Sequence, residues 1–523
     1  MRWALREVVD GALLVEFPDA SEEQANSAAA AIARKLEVNK PPGVHDAVPG
    51  ARTLLVLFDP GTLERTRLSE LFGEPTTVAP APGRTVTMPV RYGGARGPDL
   101  DELARSAGMS PDEFARLHRS ALYRVAFIGF APGFPYLTGL PEPLHAPRLA
   151  SPRPRVPSGS LGIGGKYTGV YPSSTPGGWR LIGNSPFHLF SPAANPPATL
   201  APGDRVRFEE VDETQFSALS KQLASERAAT VQRPGLPIVR VLSAGLCTSV
   251  QGAPVLGLAA SGVPSGGAMD IGALWRGNRA VGNPGHASAL EITLLGPTLE
   301  LLQSARLWIS GSTADAAING RAISVGEAIE ARAGDQLSIG STRGGARCYL
   351  CIEGGGFANT AALGEPLHRL ERGDKIWRED SAAPGPAGFE YFAQAPTGSA
   401  GTLRVVLGPQ AEHFSLAGKA VFLSGEYRVS AQSDRRGIRL EGPTIELSAP
   451  ADIPPEGTAA GAIQVPANGQ PIVLGPDRPV TGGYAKIATV IAADLPLLAQ
   501  ARPGATLRFR QVSIAEAVAA RTS

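Results

Sequence analysis

Ala201-Pro-Gly-Asp-Arg-Val-Arg-Phe208, Arg332-Ala-Gly-Asp-Gln-Leu-Ser-Ile339 and Arg502-Pro-Gly-Ala-Thr-Leu-Arg-Phe509 follow one pattern. Each sets a glycine turn before a strand in which apolar and polar residues alternate, the period of a half-buried strand. Two weaker echoes accompany them. Gly296-Pro-Thr-Leu-Glu-Leu301 resembles Gly442-Pro-Thr-Ile-Glu-Leu447, and Gly177-Gly-Trp179 resembles Gly482-Gly-Tyr484. Short glycine–proline turns also recur by coincidence in β proteins. The simplest reading is three similar β domains, each closing on the same turn and strand. Repeated closing strands suit barrels, which leave no sheet edge open.

The rest of the chain agrees with a β-rich molecule. With 523 residues it is too long for one core, and its 62 glycines and 47 prolines favour short strands and tight turns. Ahead of the first repeat lies a small α/β unit. Residues 12–17 alternate as a strand, Ser21 with Gln24 forms a capping box for a helix to about Leu36, and Thr53 to Phe58 is a second strand. A strand at Thr85 to Tyr92 opens the next segment. Helix starts follow at Asp99/Glu102 and Ser110-Pro111/Glu113, then a strand at Tyr123 to Phe130. A polar, helix-compatible linker precedes a strand at Ile238 to Leu242. Asn319-Gly320 and Asn468-Gly469, each between apolar runs, signal hairpins. The division expected is 1–82 small α/β domain, 83–210 first barrel, 211–236 linker, 237–398 second barrel and 399–523 third barrel.

Composition also excludes functions. A net charge of +1 gives no field to gather nucleic acid or an anionic membrane. The three cysteines are too few for a disulfide framework, and Cys348-x-x-Cys351 lacks a second pair for zinc. On a strand its thiols face opposite sides, as buried small hydrophobes. The N-terminus shows no signal-peptide core and no apolar run would span a membrane, so a cytoplasmic protein is expected. Gly159-Ser-Leu-Gly-Ile-Gly-Gly-Lys166 fails as a P-loop, because its lysine is one residue late and no Ser or Thr follows. Neither H-E-x-x-H nor G-x-S-x-G chemistry is present, and the seven histidines show no ligand spacing, so no metal site is assigned. His118 shares a helix face with Phe114 and reads as packing rather than catalysis.

Longer strings carry a family resemblance. Phe127-Ile-Gly-Phe-Ala-Pro-Gly-Phe-Pro-Tyr-Leu137, Pro147-Arg148, Pro152-Arg153, Arg155-Val-Pro157 and Pro176-Gly-Gly-Trp-Arg-Leu-Ile-Gly183 resemble the smaller subunit of bacterial 5-oxoprolinase, also described as allophanate hydrolase subunit 1 and as a sporulation-kinase inhibitor. Gly262-Val-Pro-Ser-Gly-Gly-Ala-Met-Asp270, Leu290-Glu291, Gly408-Pro-Gln410, Ser433-Asp-Arg435, Gly461-Ala-Ile-Gln-Val-Pro466, Gly469-Gln-Pro471 and Gly482-Gly-Tyr484 resemble the larger subunit. Together the halves resemble the carboxyltransferase region of urea carboxylase (urea amidolyase). The resemblance implies a mainly β fold with a small N-terminal α/β domain and tandem cyclophilin-like β-barrel domains.

Read as chemistry, the matched strings supply candidate residues. With a two-residue turn at Asn468-Gly469, Val465 pairs with Ile472 and Gln464 with Val473. Ile463, Val465, Ile472 and Leu474 then share the apolar face, and Gln464 points away from it. Its amide can face an amide or ureido ligand, or merely solvent. Asp270 follows a glycine turn and either approaches a ligand or caps its own loop. Glu291 stands in an apolar context, either on a strand surface or paired inside. Asp477 and Tyr484 flank Gly482-Gly483 and could bind or relay protons, or serve the turn and the barrel packing. Arg148, Arg153 and Arg155 among prolines suit phosphate, carboxylate or bicarbonate, or form a stiff basic loop. Trp179 stacks on a ligand or fills the core. Arg435 and Gln470 enter as binding candidates through the family strings alone.

Four places depart from the family pattern: Gln251 is followed by Gly252-Ala-Pro-Val255, and Gly364-Glu-Pro366, Pro455-Glu-Gly457 and Asp477-Arg-Pro-Val480 replace more polar motifs. Either the substrate differs or the second half has partly lost activity. The leading implication is a fused subunit pair of an ATP-dependent 5-oxoprolinase, using ATP with Mg and a separate lactam-utilisation subunit to open a lactam through a phosphorylated amide oxygen. Carboxyl transfer to urea or a related amide is the alternative. Its biotin must sit on a partner chain with biotin carboxylase, since no Met-Lys attachment pair exists here. A non-catalytic regulatory module is the third. A homo-oligomer is compatible with all three.

Overall fold

The first closing string does what its pattern predicts. In the computed structural model, which describes residues 2–72, 83–227, 236–358, 363, 367–379 and 401–521, Arg205–Glu210 lies parallel to the opening strand Thr85–Tyr92, in the register Val86↔Val206 and Met88↔Phe208. These four side chains are buried or nearly so in one core, and their pairing completes a closed seven-stranded barrel. The third string repeats the device. Thr506–Gln511 lies parallel to Thr402–Leu407, with Leu403 opposite Phe509, and closes a second seven-stranded barrel.

The middle string does not close a barrel, which corrects the expectation of three. Its strand, Gln336–Ile352, runs antiparallel to Thr298–Leu301, Ala289–Thr293 and the long strand Ala305–Ile318. Bulges at Gly311/Thr313 and Ala314/Ala316 bend that pair. The opening strand Val239–Ser243 instead receives Lys375–Ile376 along its edge. The ladder is a nine-stranded sheet rather than a closed path.

The Gly177/Gly482 echo is structural. Arg153–Val156 pairs with Thr175–Gly177, and Asp452–Gly457 pairs with Thr481–Tyr484, each as a two-stranded ribbon outside its barrel. The Gly296/Gly442 echo is not: the first string gives the strand Thr298–Leu301, whereas the second holds only a bridge from Leu447 to Phe414.

The N-terminal unit is a four-stranded antiparallel sheet in the order Ala4–Val9, Ala12–Glu16, Thr53–Phe58, Val44–Pro49. Helix Glu22–Asn39 starts at the Ser21/Gln24 capping box, with both reciprocal bonds formed. Leu13, Val15, Leu54 and Val56 face that helix. Their neighbours Leu14 and Leu55 face the other way, into a core shared with Ala459, Val480 and Ile491 of the C-terminal barrel. The apolar character of both sheet faces therefore reports that the beginning and end of the chain pack together.

Several local expectations hold. Ser110 caps Pro111–Ser120 through a complete capping box. Asn319-Gly320 forms a two-residue hairpin with both residues at positive φ and Ile318 opposite Arg321. Asp99 precedes the helix Leu100–Ser106 but its side chain does not cap it; the carboxylate accepts from the Leu181 N–H and from Arg153. The Asn468-Gly469 hairpin needs a correction. Gln464 pairs with Ile472 and Ile463 with Val473, one residue off the expected register. The turn is longer than two residues, held by Gly469 N–H to Pro466 O, so the core face is Ile463, Val465 and Val473. Gln464 still points away from it.

Cys348 and Cys351 are fully buried on opposite faces of their strand, and burial pushes the Cys348 thiol up to about 12. The linker region begins with helix Glu213–Arg227, whose Phe216 lies 3.7 Å under the Arg96 guanidinium. The divisions expected at 82 and 398, and Gly364-Glu-Pro366, lie outside the described residues. Among those described, no helix is long and apolar enough to cross a membrane.

Candidate functional site: a seam between the two halves

The first barrel and the second half meet along one seam. The Phe130 N–H donates to Thr481 Oγ1 at 2.9 Å, and the Gly133 N–H donates to Ser261 O at 2.9 Å. The approach is close: a Cβ on Gly129 would fall 2.2 Å from Thr481 Oγ1, and one on Gly262 would fall 2.4 Å from Ala131 O. Phe130 and Ala131 also form one wall of a cleft of about 840 Å³. Ser173 to Pro176, leading into the first ribbon, continue that wall. The second half supplies the others, including Gln251, Gly252, Asp477 and five arginines: Arg347, Arg369, Arg435, Arg436 and Arg478. Two of the four departures from the family pattern, after Gln251 and after Asp477, thus line the cleft.

Arg435 organises the cleft floor. Its Nη1 donates to Glu291 Oε1 at 2.6 Å, and its Nε and Nη2 grip Asp477 at 2.8 and 2.9 Å. Nη2 also reaches Gly267 O at 2.6 Å and Gln251 Oε1 at 3.3 Å. The other oxygen of Glu291 accepts from Tyr349 Oη and the Met269 N–H, both at 2.8 Å. Burial alone would push the Glu291 carboxyl up; the charges of Arg435 and Arg347 outweigh it and hold the group below the usual range. Glu291 is therefore paired inside. Asp270 lies next to this network. It caps helix Ile271–Ala280 through the Ala273 N–H at 2.9 Å and accepts from Gln500 Nε2 at 2.7 Å. Burial raises its pKa despite these bonds.

The opposite end of the seam is built differently. Gln464 is 7% exposed, and its Nε2 has no hydrogen-bond partner among the described residues. It lies under Gly482, where a Cβ would come within 2.4 Å of Nε2. Next along the ribbon, Gly483 leaves its space beside Arg148, with Nη1 3.8 Å from where a Cβ would sit. Arg148 is exposed, and no ion pair to it forms among the described residues. Tyr484 is 36% exposed on the same ribbon. Tyr136, which hydrogen-bonds Thr481, is pushed up by burial; nearby Arg148 opposes the shift. Behind Gln464, the strand partner Lys486 ion-pairs with Glu456, which also accepts from Gln410 Nε2 at 2.8 Å.

Three sequence candidates are engaged in structure instead. Trp179 is 5% exposed and packs edge-on against Phe134 and Tyr136. Arg153 pairs with the buried Asp99 at 2.7 Å. Gln470 pins a turn, accepting from the Gly442 N–H at 2.9 Å and donating to Gly442 O at 3.2 Å. Arg155 stays at the cleft rim, where its Nε donates to Ser174 Oγ at 3.1 Å. Sequence reading missed Arg478, Gln410 and the Glu456–Lys486 pair. For Lys486 a signal existed, since a lone lysine in Ala-Lys-Ile-Ala-Thr-Val490 is out of place on a buried strand.

The chain as a whole has known relatives. Residues 3–200 match the family model "Carboxyltransferase domain, subdomain C and D", and residues 261–511 match "Carboxyltransferase domain, subdomain A and B". The chain is 37% identical to the B subunit of 5-oxoprolinase from Bacillus subtilis (strain 168), over 42% of this chain and 98% of that one. It is 32% identical to the C subunit of 5-oxoprolinase from Escherichia coli (strain K12), over 54% of this chain and 94% of that one. The urea amidolyase of Lachancea kluyveri is 31% identical over 52% of this chain, which spans only 17% of that protein. The crystal structure of TTHA0988 superposes with a TM-score of 0.79 at 33% identity, covering 97% of this chain and 100% of that one. The chain belongs to the carboxyltransferase-domain family and joins in one polypeptide the relatives of the B and C subunits of 5-oxoprolinase.

Proposed function

We propose that this chain is the fused B–C component of an ATP-dependent 5-oxoprolinase, opening 5-oxo-L-proline to glutamate together with a separate lactam-utilisation subunit. The observation that carries the reading is coverage: one chain spans 98% of a 5-oxoprolinase B subunit and 94% of a C subunit, and its polar cleft lies where the two halves meet.

The residues at the seam suit a small amide. Gln464 Nε2 is a free donor for a lactam carbonyl, and its Oε1 can accept from a ring N–H. Across the ribbon, beside Gly483, Arg148 presents an unpaired guanidinium for an anionic group. Tyr484 on the ribbon is the candidate to orient water or move a proton, with Arg155 at the rim; Asp477, both of whose oxygens Arg435 holds, would position the cleft floor. Arg369 and Arg436, which form no ion pair among the described residues, line the cleft and fit a phosphate-bearing ligand. ATP supplies the activation that an unstrained lactam needs. Mg would enter with the ATP phosphates, needing only one or two carboxylates from protein.

A carboxyltransferase acting on urea or a related amide, served by biotin on a partner chain, is the second reading. The two matched family descriptions favour it. The deciding assay follows ADP and glutamate release from 5-oxo-L-proline and ATP, with the purified chain plus the lactam-utilisation subunit of the same organism. Release that needs both proteins is expected. No release with both proteins folded would overturn the reading, and capture of a biotinylated carrier would then favour the second.

A further inference from the structure

Arg478 is a buried guanidinium without a carboxylate. It is 3% exposed, yet its only bonds among the described residues are to neutral oxygens: Nε donates to Thr458 O at 3.0 Å and Nη1 to Ser265 Oγ at 3.2 Å. Among those residues no carboxylate comes within ion-pair distance of it, although Arg435 in the same cleft holds two. Burial lowers its pKa to about 10, and Asp46 and Asp477 oppose that shift only from a distance. Asp46 is engaged elsewhere, accepting from the Gly257 and Ala259 N–H groups at 3.1 and 2.8 Å.

A desolvated arginine is costly unless an anion meets it. Arg478 forms part of the wall of the 840 Å³ cleft and also of a smaller cavity of about 230 Å³ behind it. The smaller cavity sets Asp10 and Asp46 against Arg478 and Arg521, and Arg521 is already paired with Asp10, so that cavity holds no positive charge in excess. The cleft carries five arginines against Asp434 and Asp477, with Glu291 behind, and Asp434 is occupied by the N–H groups of its own turn. The cleft side is the one with positive charge in excess.

We propose that Arg478 receives the carboxylate of the ligand, so that the cleft selects a small amide or lactam bearing an acidic group over a neutral one such as urea. This deepens the lactam reading and rests on it for the ring, but not for the charge. A planar guanidinium takes a carboxylate through two parallel N–H···O bonds, which fixes orientation as well as affinity. The sequence Asp477-Arg-Pro-Val480, one of the departures from the family pattern, becomes a determinant of charge selectivity.

The test is calorimetric titration of the full chain with three probes: 5-oxo-L-proline, the neutral ring 2-pyrrolidinone, and glutarate, a carboxylate without a lactam. The wild type is expected to bind both anions at least about tenfold more tightly than the neutral ring, a difference that one charge-assisted contact supplies. Arg478→Gln should erase the preference, and Arg478→Lys should restore part of it. Equal binding of 5-oxo-L-proline and 2-pyrrolidinone by the wild type overturns the proposal even if Arg478→Gln fails to fold. So does a preference that survives Arg478→Gln, or no binding of either anion. Arg478-dependent glutarate binding without coupled turnover keeps the charge assignment and removes the lactam reading. Turnover without charge preference does the reverse.

Discussion

The two ends of the seam carry similar polar groups in opposite states. Around Arg435, the guanidinium grips two carboxylates, and the Glu291 oxygens are bound by Arg435, Tyr349 and the Met269 N–H. Around Gln464, the amide nitrogen is buried with no partner among the described residues, and Arg148 stands unpaired across the same ribbon, beside Gly483. Buried polar groups are nearly always satisfied. A saturated network therefore reads as architecture, tying the middle sheet to the last barrel. An unsaturated one reads as a place where a ligand completes the bonding. The same residue types could not be sorted by sequence, because saturation is a property of the partners.

Substitutions can break or sharpen that contrast. Arg435→Met should have the largest effect on stability, about 3–5 kcal/mol, because it strands the buried Glu291 charge. Chemical denaturation measures it, and a loss below about 1 kcal/mol would mean that the cleft floor is not structural. Asp270→Ala should cost roughly 1–2 kcal/mol through the lost helix cap, with little change in KM for the folded enzyme. At the other end, Gln464→Leu should leave stability within about 1 kcal/mol or raise it, because the donor it removes has no partner. Coupled turnover should nevertheless fall by about tenfold or more, the equivalent of ~1.4 kcal/mol of lost contact. Gln470→Ala, outside both networks, should change stability by only about 0.5 kcal/mol and turnover not at all.

The first barrel offers a pH test independent of the seam. His118 is fully buried, with Nδ1 2.9 Å from Tyr92 Oη and Nε2 3.1 Å from Thr168 Oγ1. Burial lowers its pKa to about 3, against an unfolded value of about 6.5. The folded state therefore binds the proton less well than the unfolded chain. Its contribution to stability is present above about pH 6.5 and declines as pH falls toward 3. His118→Gln should flatten that part of the stability–pH curve, followed by denaturant midpoints at several pH values.

Much of the fold was legible in short signals. The capping boxes at Ser21 and Ser110, the Asn319-Gly320 hairpin and the first and third closing strands all depend on local chemistry, and all formed where the pattern placed them. The middle closing string failed because ladder partners are chosen by the whole sheet; bulges in Ala305–Ile318 bend it, and another segment takes the opening strand's edge. The register at Gln464 slipped by one because the loop has its own turn at Pro466–Gly469, beyond the two residues of an Asn-Gly hairpin. The site was half legible. Gln464, Glu291 and Arg435 were found through family strings. Trp179, Arg153 and Gln470 came with them, although the fold employs those three for packing and pinning. Arg478 and Lys486 were missed because burial of a charge shows only once distant segments meet.

Groups left without a counter-partner, Gln464 on one side of the seam and Arg478 in the cleft, act on the ligand, while the saturated Arg435–Glu291 network holds the fold. The most direct test of that division measures denaturation midpoint and coupled ADP–glutamate release together, for wild type, Gln464→Leu and Arg435→Met with the lactam-utilisation subunit present. The account predicts a Gln464→Leu protein of undiminished stability and sharply reduced release, and an Arg435→Met protein that loses stability first. Full release by Gln464→Leu, or a stable Arg435→Met protein whose only defect is in turnover, would contradict it.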